Sequence, residues 1–365
     1  MIFDINQTEF PTARHKAIWN EGRQVVPLDV SLADIAALEM KEGCTQIYNW
    51  TREYFEQIYK DPAQFSGYTP HGMFRLLDIA AKKTTVEGGG LVVTGRKYKQ
   101  MLSSSEKHLS DFPLVGLEIT GGDTKLLTNK KYPLFCKYLK LFSDGAYRKP
   151  LNSLMYILYN DFRVLAPKYI RTFDDLLRVL PDKIKDYATE AQEYVLAKGA
   201  ELENHKAYGQ FRYKYKGRYL LVLQRNNYRH TPLDIAVPYG PIEKYKELIE
   251  NQPDRDEIVM YVKKEINVCD TVCVAGIVAG LEPHGYCGKS ARDIFGDDKN
   301  ISLCYQSISK WTAAADNSEY TDYDIKMLKR LIDIRLSQLD ILSEGDTGKP
   351  RAYFPTNFIN VKEGK

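Results

Sequence analysis

The chain has 365 residues, of which 51 are Lys or Arg and 48 are Asp or Glu, giving a formal net charge of +3 at neutral pH. Hydrophobic residues make up 44% and charged residues 27%, close to the composition of soluble globular proteins. This near balance of charge excludes a chain-wide field for nucleic acid or anionic lipid, so any such surface must be a local patch.

The length of the chain and its cysteine content further limit the kind of protein that the sequence can encode. A chain of this length exceeds one compact core of ordinary size, so two or three domains are expected. The beginning, "MIFDINQTEF", lacks the pattern of a secretory signal, and no apolar run reaches the roughly 18 to 20 residues that span a bilayer. Six cysteines are too few for a disulfide scaffold. We therefore expect a soluble cytoplasmic protein without a membrane partner; its abundant Lys, Ile and Tyr are typical of an AT-rich bacterial genome.

Residues 1–86 are predicted to form a helical N-terminal region. The segment "SLADIAALEMKEG" is expected to start at a capping box of Ser31 and Asp34 and to end at Gly43, because glycine is the preferred residue after a helix. "PHGMFRLLDIAAKK" predicts another helix further along the chain. Between them, a helix is predicted from an apolar stripe at helical spacing, formed by Ile47, Trp50, Tyr54 and Ile58.

Residues 87–252 are predicted to form a mixed domain of β-hairpins and helices. "FPLVGLEITGGDTKLLTNKKY" reads as a hairpin around Gly121, Gly122 and Asp123. A second hairpin, "YGQFRYKYKGRYLLVLQRN", follows a long amphipathic helix that is expected to end at Gly199. Hairpins interspersed with helices, without a regular βαβ rhythm, indicate the α+β fold class.

Residues 253–345 are predicted to be a C-terminal region of helices with a cysteine-containing segment, and residues 346–365 a loose tail. "YTDYDIKMLKRLIDIRLSQLDIL" predicts an amphipathic helix of about six turns that begins at Thr321. We expect this helix to dock within the molecule rather than to dimerise. Its apolar stripe consists of Ile325, Leu328, Ile332, Leu336 and Leu339.

Four cysteines in the C-terminal region admit two interpretations. Cys269, Cys273, Cys287 and Cys304 could supply four thiolates to a closed structural zinc site, with His284 as an alternative ligand. The spacing lacks the paired C-x2-C knuckles that make a zinc signature specific. It therefore favours reduced thiols buried as small hydrophobic residues, and zinc stays the alternative.

The same segment ends in "CGKS", the last residues of a phosphate-binding loop of the type G-x-x-x-x-G-K-[ST]. Pro283 occupies the position of the first glycine, and too few residues follow Ser290 for the further strands and helices of a P-loop sheet. The sequence also lacks H-E-x-x-H, G-x-S-x-G and G-x-G-x-x-G. Asp111 with the "DTK" at 123–125 is a weak nuclease-like pattern, because Asp123 is expected in an exposed turn.

The basic hairpin "FRYKYKGRY" carries the clearest signal for a partner. A type I turn with Gly217 in a bulge position is predicted, since a two-residue turn would force Lys216 to a positive φ. In that register Lys214 lies opposite Arg218, and Arg212 shares their face. Like charges facing each other are unfavourable unless solvent, a carboxylate or a bound anion relieves them.

Two interpretations of this hairpin follow. One is a ribbon that contacts phosphate or nucleic acid. The other, which we favour from the sequence, is a solvated outer face whose cations protect a sheet edge from mispairing. The candidate anion-binding residues are Arg212, Lys214, Arg218 and Arg225.

The sequence thus supports two functions. The first is a non-catalytic binding or regulatory protein that contacts an anionic ligand or nucleic acid through the hairpin. The alternative is an enzyme that acts on a small phosphorylated or nucleotide substrate in a cleft between domains. Steeply salt-dependent binding would favour the first, and a concave site with perturbed carboxylates the second.

Overall fold

The structure, a computed structural model, describes residues 2–82, 84–147, 153–166, 171–203, 210–225, 233–238, 242–267, 307–309 and 321–342. The chain divides into two compact units, Met1–Thr172 and Phe173–Lys365. Each unit combines helices with an antiparallel sheet, which confirms the predicted α+β class. The division falls inside the predicted middle domain and does not coincide with the predicted boundaries after residues 86 and 252.

The first unit begins with four helices around an apolar core. They are α1 (Ala13–Gly22), α2 (Leu28–Leu32), α3 (Leu38–Lys60) and α4 (His71–Ala81). The predicted stripe of α3 is buried along its whole length, as its helical spacing requires. At its centre the Trp50 indole nitrogen donates a hydrogen bond to the Val115 carbonyl oxygen at 2.8 Å, so this large side chain is buried with its polar atom satisfied.

The predicted helix from Ser31 to Gly43 was wrong at both ends. Ser31 lies in α2, where its hydroxyl accepts a hydrogen bond from the Phe162 amide at 2.8 Å instead of capping a helix. Gly43 lies inside α3. Its lack of a side chain serves close packing, because a Cβ atom there would overlap the ring of Tyr138.

Helices α3 and α4 belong with the first sheet rather than to a separate region. The sheet has the order β1-β2-β4-β3, with all neighbours antiparallel. Helices α4, α5 and α6 pack against its strands. The elements are β1 (Thr85–Glu87), β2 (Gly90–Thr94), α5 (Gly95–Leu109), β3 (Leu117–Thr120), β4 (Thr124–Asn129), α6 (Phe135–Tyr147) and α7 (Ser153–Leu158).

The second unit contains a described sheet of order β5-β6-β7-β8-β9, again antiparallel throughout. One face of this sheet joins the helices in an apolar core that includes Tyr213, Leu221 and Tyr245. The elements are α8 (Phe173–Leu177), α9 (Asp182–Ala197), β5 (Glu201–Glu203), β6 (Gln210–Tyr215), β7 (Arg218–Arg225), β8 (Leu233–Pro238), α10 (Ile242–Glu250), α11 (Arg255–Asn267), β9 (Ser307–Ser309) and α12 (Asp322–Ile341).

The last helix, α12, docks within the second unit, as its apolar stripe predicts. It begins with a capping box in which Thr321 and Asp324 satisfy each other's backbone amides. On its flank, Arg330 pairs with Asp254 at 2.6 Å. The apolar stripe lies in the core cluster, with four residues buried and one half-buried: Ile325, Leu328, Ile332, Leu339 and Leu336.

Candidate anion-binding surfaces

The hairpin of β6 and β7 closes more tightly than predicted. Tyr215 pairs with Arg218, so Lys216 and Gly217 form a two-residue turn with φ of 49° and 73°. The prediction of a type I turn with a bulged glycine was wrong. Two positive φ values give a turn whose twist matches that of the strands, which offsets the roughly 1–2 kcal/mol of a left-handed Lys. Lys216 also pairs with Asp340 on α12 at 2.7 Å.

This turn changes which side chains share a face. The register shifts next to Lys214, so that Lys214 lies opposite Tyr219 and Arg218 lies opposite Tyr215. Because directly opposed residues share a face, Arg218 lies on the side of Tyr215 and away from Arg212 and Lys214. The predicted face with three crowded cations was therefore wrong.

The remaining two cations share one acid of the same sheet. Lys214 forms an ion pair with Glu203 on β5, and the Arg212 Nη1 atom lies 3.9 Å from the same carboxylate. Tyr219 donates a hydrogen bond to Glu203 at 3.1 Å, and its ring lies 4.9 Å from the Lys214 ammonium. Burial alone would raise the pKa of Glu203, but the Lys214 hydrogen bond and both cations outweigh it and lower that pKa.

Arg212 is also inaccessible, with only 3% of its surface exposed. Its Nη2 atom donates to the Gln210 side-chain oxygen at 2.7 Å. Arg225 ends β7 opposite Leu233. An anion-binding role for the four predicted cations stays a prediction, but the structure does not contain the crowded cation face that motivated it. The predicted zinc ligands Cys269, Cys273, Cys287 and Cys304 lie outside the described residues.

A second group of cations lies in the first unit, where β2 leads into α5. Arg96 and Lys99 are exposed and one helical turn apart, so their side chains are neighbours. Lys125 on β4 lies against α5, with its ammonium 4.7 Å from the centre of the Tyr98 ring. We call Arg96, Tyr98, Lys99 and Lys125 the α5–β4 cation surface.

The cations of the α5–β4 cation surface differ in ion pairing from several cations of the same unit. Lys82 pairs with Asp78, Lys130 with Glu118 and Lys131 with Glu53. Within the described part of the chain, no carboxylate pairs with the three cations of the surface. The first turn of α5 holds no acidic residue either. Cations there oppose the helix dipole and repel each other, each at a cost of a few tenths of a kcal/mol.

Sequence analysis missed this surface because its residues belong to two elements. The segment "GRKYK" at 95–99 was a usable signal, since it places three cations at the start of a helix with no acid nearby. Lys125 could not be added from the sequence, because it joins through the pairing of β2 with β4. Asp123 lies exposed in the adjoining turn, as expected.

Asp111, the other acid of the weak nuclease-like pattern, binds backbone amides of a loop. Its carboxylate accepts hydrogen bonds from the backbone amides of Ser66 at 2.9 Å and Gly67 at 3.3 Å. It is buried, with 1% of its surface exposed. Among the described residues, no group of three or more His, Cys, Asp or Glu side chains is placed to hold a metal ion.

Comparison of the chain with protein-family models, with curated proteins and with solved structures found no match. Of the helices that the structure describes, none has the length and hydropathy needed to cross a membrane.

Proposed function

We propose that the protein is a non-catalytic binding protein that contacts the phosphate backbone of nucleic acid through the α5–β4 cation surface. The supporting observation is that Arg96 and Lys99 are neighbours on α5 and Lys125 reaches Tyr98 of the same helix from β4, while no described carboxylate pairs with these three cations. Phosphate groups would relieve the repulsion between these cations and release counterions.

The exposure of these side chains favours a nucleic-acid backbone over a small enclosed anion. Arg96 and Lys99 are exposed, whereas a small anion is bound most strongly by buried, preorganised donors. Cations one helical turn apart, with Cβ atoms about 5–6 Å from each other, can contact successive phosphates. Tyr98, between them in the chain, is half-buried, and its ring contacts the Lys125 ammonium.

Binding is measured by fluorescence anisotropy with labelled duplex DNA, single-stranded DNA and single-stranded RNA. The KCl concentration is varied between about 50 and 300 mM, a range around physiological ionic strength in which phosphate contacts depend on salt. Three phosphate contacts predict a slope of log affinity against log salt of about −3 for duplexes and about −2 for single strands. We expect little dependence on base sequence, because phosphate contacts carry no sequence information.

A matched pair of charge reversals locates the surface. Lys99→Glu is expected to weaken binding about tenfold at low salt and to reduce the salt slope by about one or more. Lys60→Glu is the control, since Lys60 is exposed on α3 and the reversal makes the same change in net charge. Equal losses in both variants, or no salt-dependent binding to any of the three nucleic acids, would contradict the proposal. Competition by millimolar phosphate alone would instead indicate a small-anion site.

A further inference from the structure

The loop Phe65–Pro70, which leads into α4, is held by side chains from other parts of the first unit. Arg14 on α1 donates from Nε to the Tyr68 carbonyl oxygen at 3.2 Å and from Nη2 to the Phe65 carbonyl oxygen at 2.9 Å. Asp111 accepts from the loop amides of Ser66 and Gly67. Ionisable side chains thus replace the hydrogen bonds that a helix or strand would supply to this backbone.

Glu21 binds the next backbone amide along the chain, that of His71, the first residue of α4. The Glu21 Oε2 atom accepts a hydrogen bond from the His71 amide at 2.9 Å, and the carboxyl also hydrogen-bonds to the Thr69 side chain. Only 2% of the Glu21 surface is exposed. No Lys, Arg or His side chain among the described residues forms an ion pair with it. A buried carboxylate without a cation is costly, so the neutral acid is the form that this site accommodates.

The other ionisable groups around the segment do not supply a compensating positive charge. Burial lowers the pKa of the His71 ring to about 4, and it lowers the pKa of His108 although the Asp111 carboxylate lies 3.6 Å away. Both imidazoles are therefore neutral near pH 7. The Arg14 guanidinium donates its hydrogen bonds to loop carbonyl oxygens. The positive charge of Arg75 on α4 lowers the pKa of His71 further.

From α3, the Tyr54 phenol faces both Glu21 and Asp111 and is fully buried. Its pKa lies well above the usual value, first because of burial and then because of the two acids. It is therefore a neutral group in this pH range. An ionised Glu21 would have the neutral Tyr54 phenol beside it and no ion pair with a described cation, so its charge would be uncompensated.

We propose that the segment Phe65–His71 is a proton-controlled latch, closed while the Glu21 carboxyl is protonated and released when that carboxyl ionises. Ionisation strengthens the hydrogen bonds from the His71 amide and the Thr69 side chain, but by less than the free energy needed to keep an unpaired carboxylate buried. The carboxylate therefore moves towards water, and the Thr69 side chain and the His71 amide lose their partner.

Burial raises the pKa of Glu21 to about 8, against the opposing hydrogen bonds of Thr69 and His71, which places the release near that pH. Amide hydrogen exchange of the segment at pH 7 and pH 9, corrected for the intrinsic effect of pH, tests the latch. We expect its protection to fall about tenfold in the wild type over this interval. In Glu21→Gln, which keeps the acceptor but cannot ionise, protection should not change with pH.

Asp78→Asn is the matched control, because Asp78 is another buried carboxyl of this unit but pairs with Lys82 at 2.9 Å. It should show the wild-type pH dependence in the loop. Unchanged protection in the wild type, or an equal pH dependence in Glu21→Gln, would overturn the latch. Should Glu21→Gln fail to fold, the Glu21 carboxyl can be titrated in the wild type by carbon-13 NMR. Ionisation that is complete below pH 6 would also overturn the latch.

Discussion

The ring of Tyr138 on α6 lies directly against the backbone of Gly43 on α3, so closely that a Cβ atom at position 43 would overlap it. Tyr138 is itself buried. The two helices therefore approach each other at a point where only glycine fits. This contact helps to join the helical part of the first unit to the helix that covers its sheet.

Gly43→Ala is therefore expected to destabilise the protein. In an exposed helix interior the same substitution would stabilise by about 1 kcal/mol, because alanine has the higher helix propensity. Here the added methyl group overpacks a buried contact, which costs typically about 1–3 kcal/mol. Urea unfolding followed by circular dichroism measures the change.

Gly122→Ala serves as its control. Gly122 is exposed in the turn between β3 and β4, and a Cβ atom there meets nothing within 4 Å. The free energy of unfolding should change by no more than about 0.5 kcal/mol. A stabilising Gly43→Ala would contradict the close contact between α3 and α6.

Glu203→Gln tests the pairing of Glu203 with the hairpin cations Arg212 and Lys214. The substitution leaves Arg212 buried without its carboxylate and is expected to cost about 1–3 kcal/mol. Since the pKa of Glu203 is lowered in the folded state, its contribution is present above the unfolded pKa and is lost as pH falls through the folded pKa. The wild type and the variant should therefore differ at pH 7 and converge in acid.

An anion provides the control for this prediction. Phosphate should raise the melting temperature of Glu203→Gln more than that of the wild type, because it can replace the missing charge beside Lys214. If phosphate stabilises the wild type strongly and the variant no further, the hairpin is an anion site in its own right. That result would restore the role predicted for Arg212 and Lys214 from the sequence.

Lys216→Asn tests the two-residue turn. Asparagine tolerates the left-handed backbone better than lysine, so the substitution should gain about 0.5–1 kcal/mol at the turn. It also removes the exposed ion pair with Asp340, worth no more than about 1 kcal/mol, and Asp340→Asn removes that pair while changing the Asp340 hydrogen bond with Tyr215. Lys216→Asn should be the more stable of these two variants, and Gly217→Ala should be less stable than the wild type because of its φ of 73°. Lys216→Asn falling below Asp340→Asn would argue against the turn.

The elements that the sequence predicts well are those whose signal is local and repeated. The buried stripe of α3 and the docked face of α12 each follow from apolar residues at helical spacing, and the first hairpin follows from its Gly-Gly-Asp turn. Gly43 illustrates the limit of such signals. A glycine that permits a close approach looks the same in the sequence as one that ends a helix.

The candidate sites were harder to predict because their residues meet only through the fold. Glu203 and Lys214 are brought together by the pairing of β5 with β6, and a one-residue register shift decided where Arg218 points. Lys125 reaches Tyr98 in the same way, through strand pairing. Register depends on the turn and on burial of the whole sheet, neither of which a single hairpin sequence fixes.

The zinc prediction for Cys269, Cys273, Cys287 and Cys304 is checked by elemental analysis of the purified protein. A closed tetrahedral site of four thiolates would contain about one zinc ion per chain. Replacing one ligand, as in Cys287→Ser, would then release the metal and lower the melting temperature, because binding of a structural metal contributes to folding.

Cys136→Ser is the matched control for that measurement. Cys136 is buried in the first unit, where its thiol donates to the Leu127 carbonyl oxygen at 3.2 Å, and burial raises its pKa to about 12. A protonated thiol is not a zinc ligand, so this variant should keep its zinc even if it loses some stability. Folded wild-type protein without zinc would contradict the metal prediction and leave the four cysteines as reduced thiols.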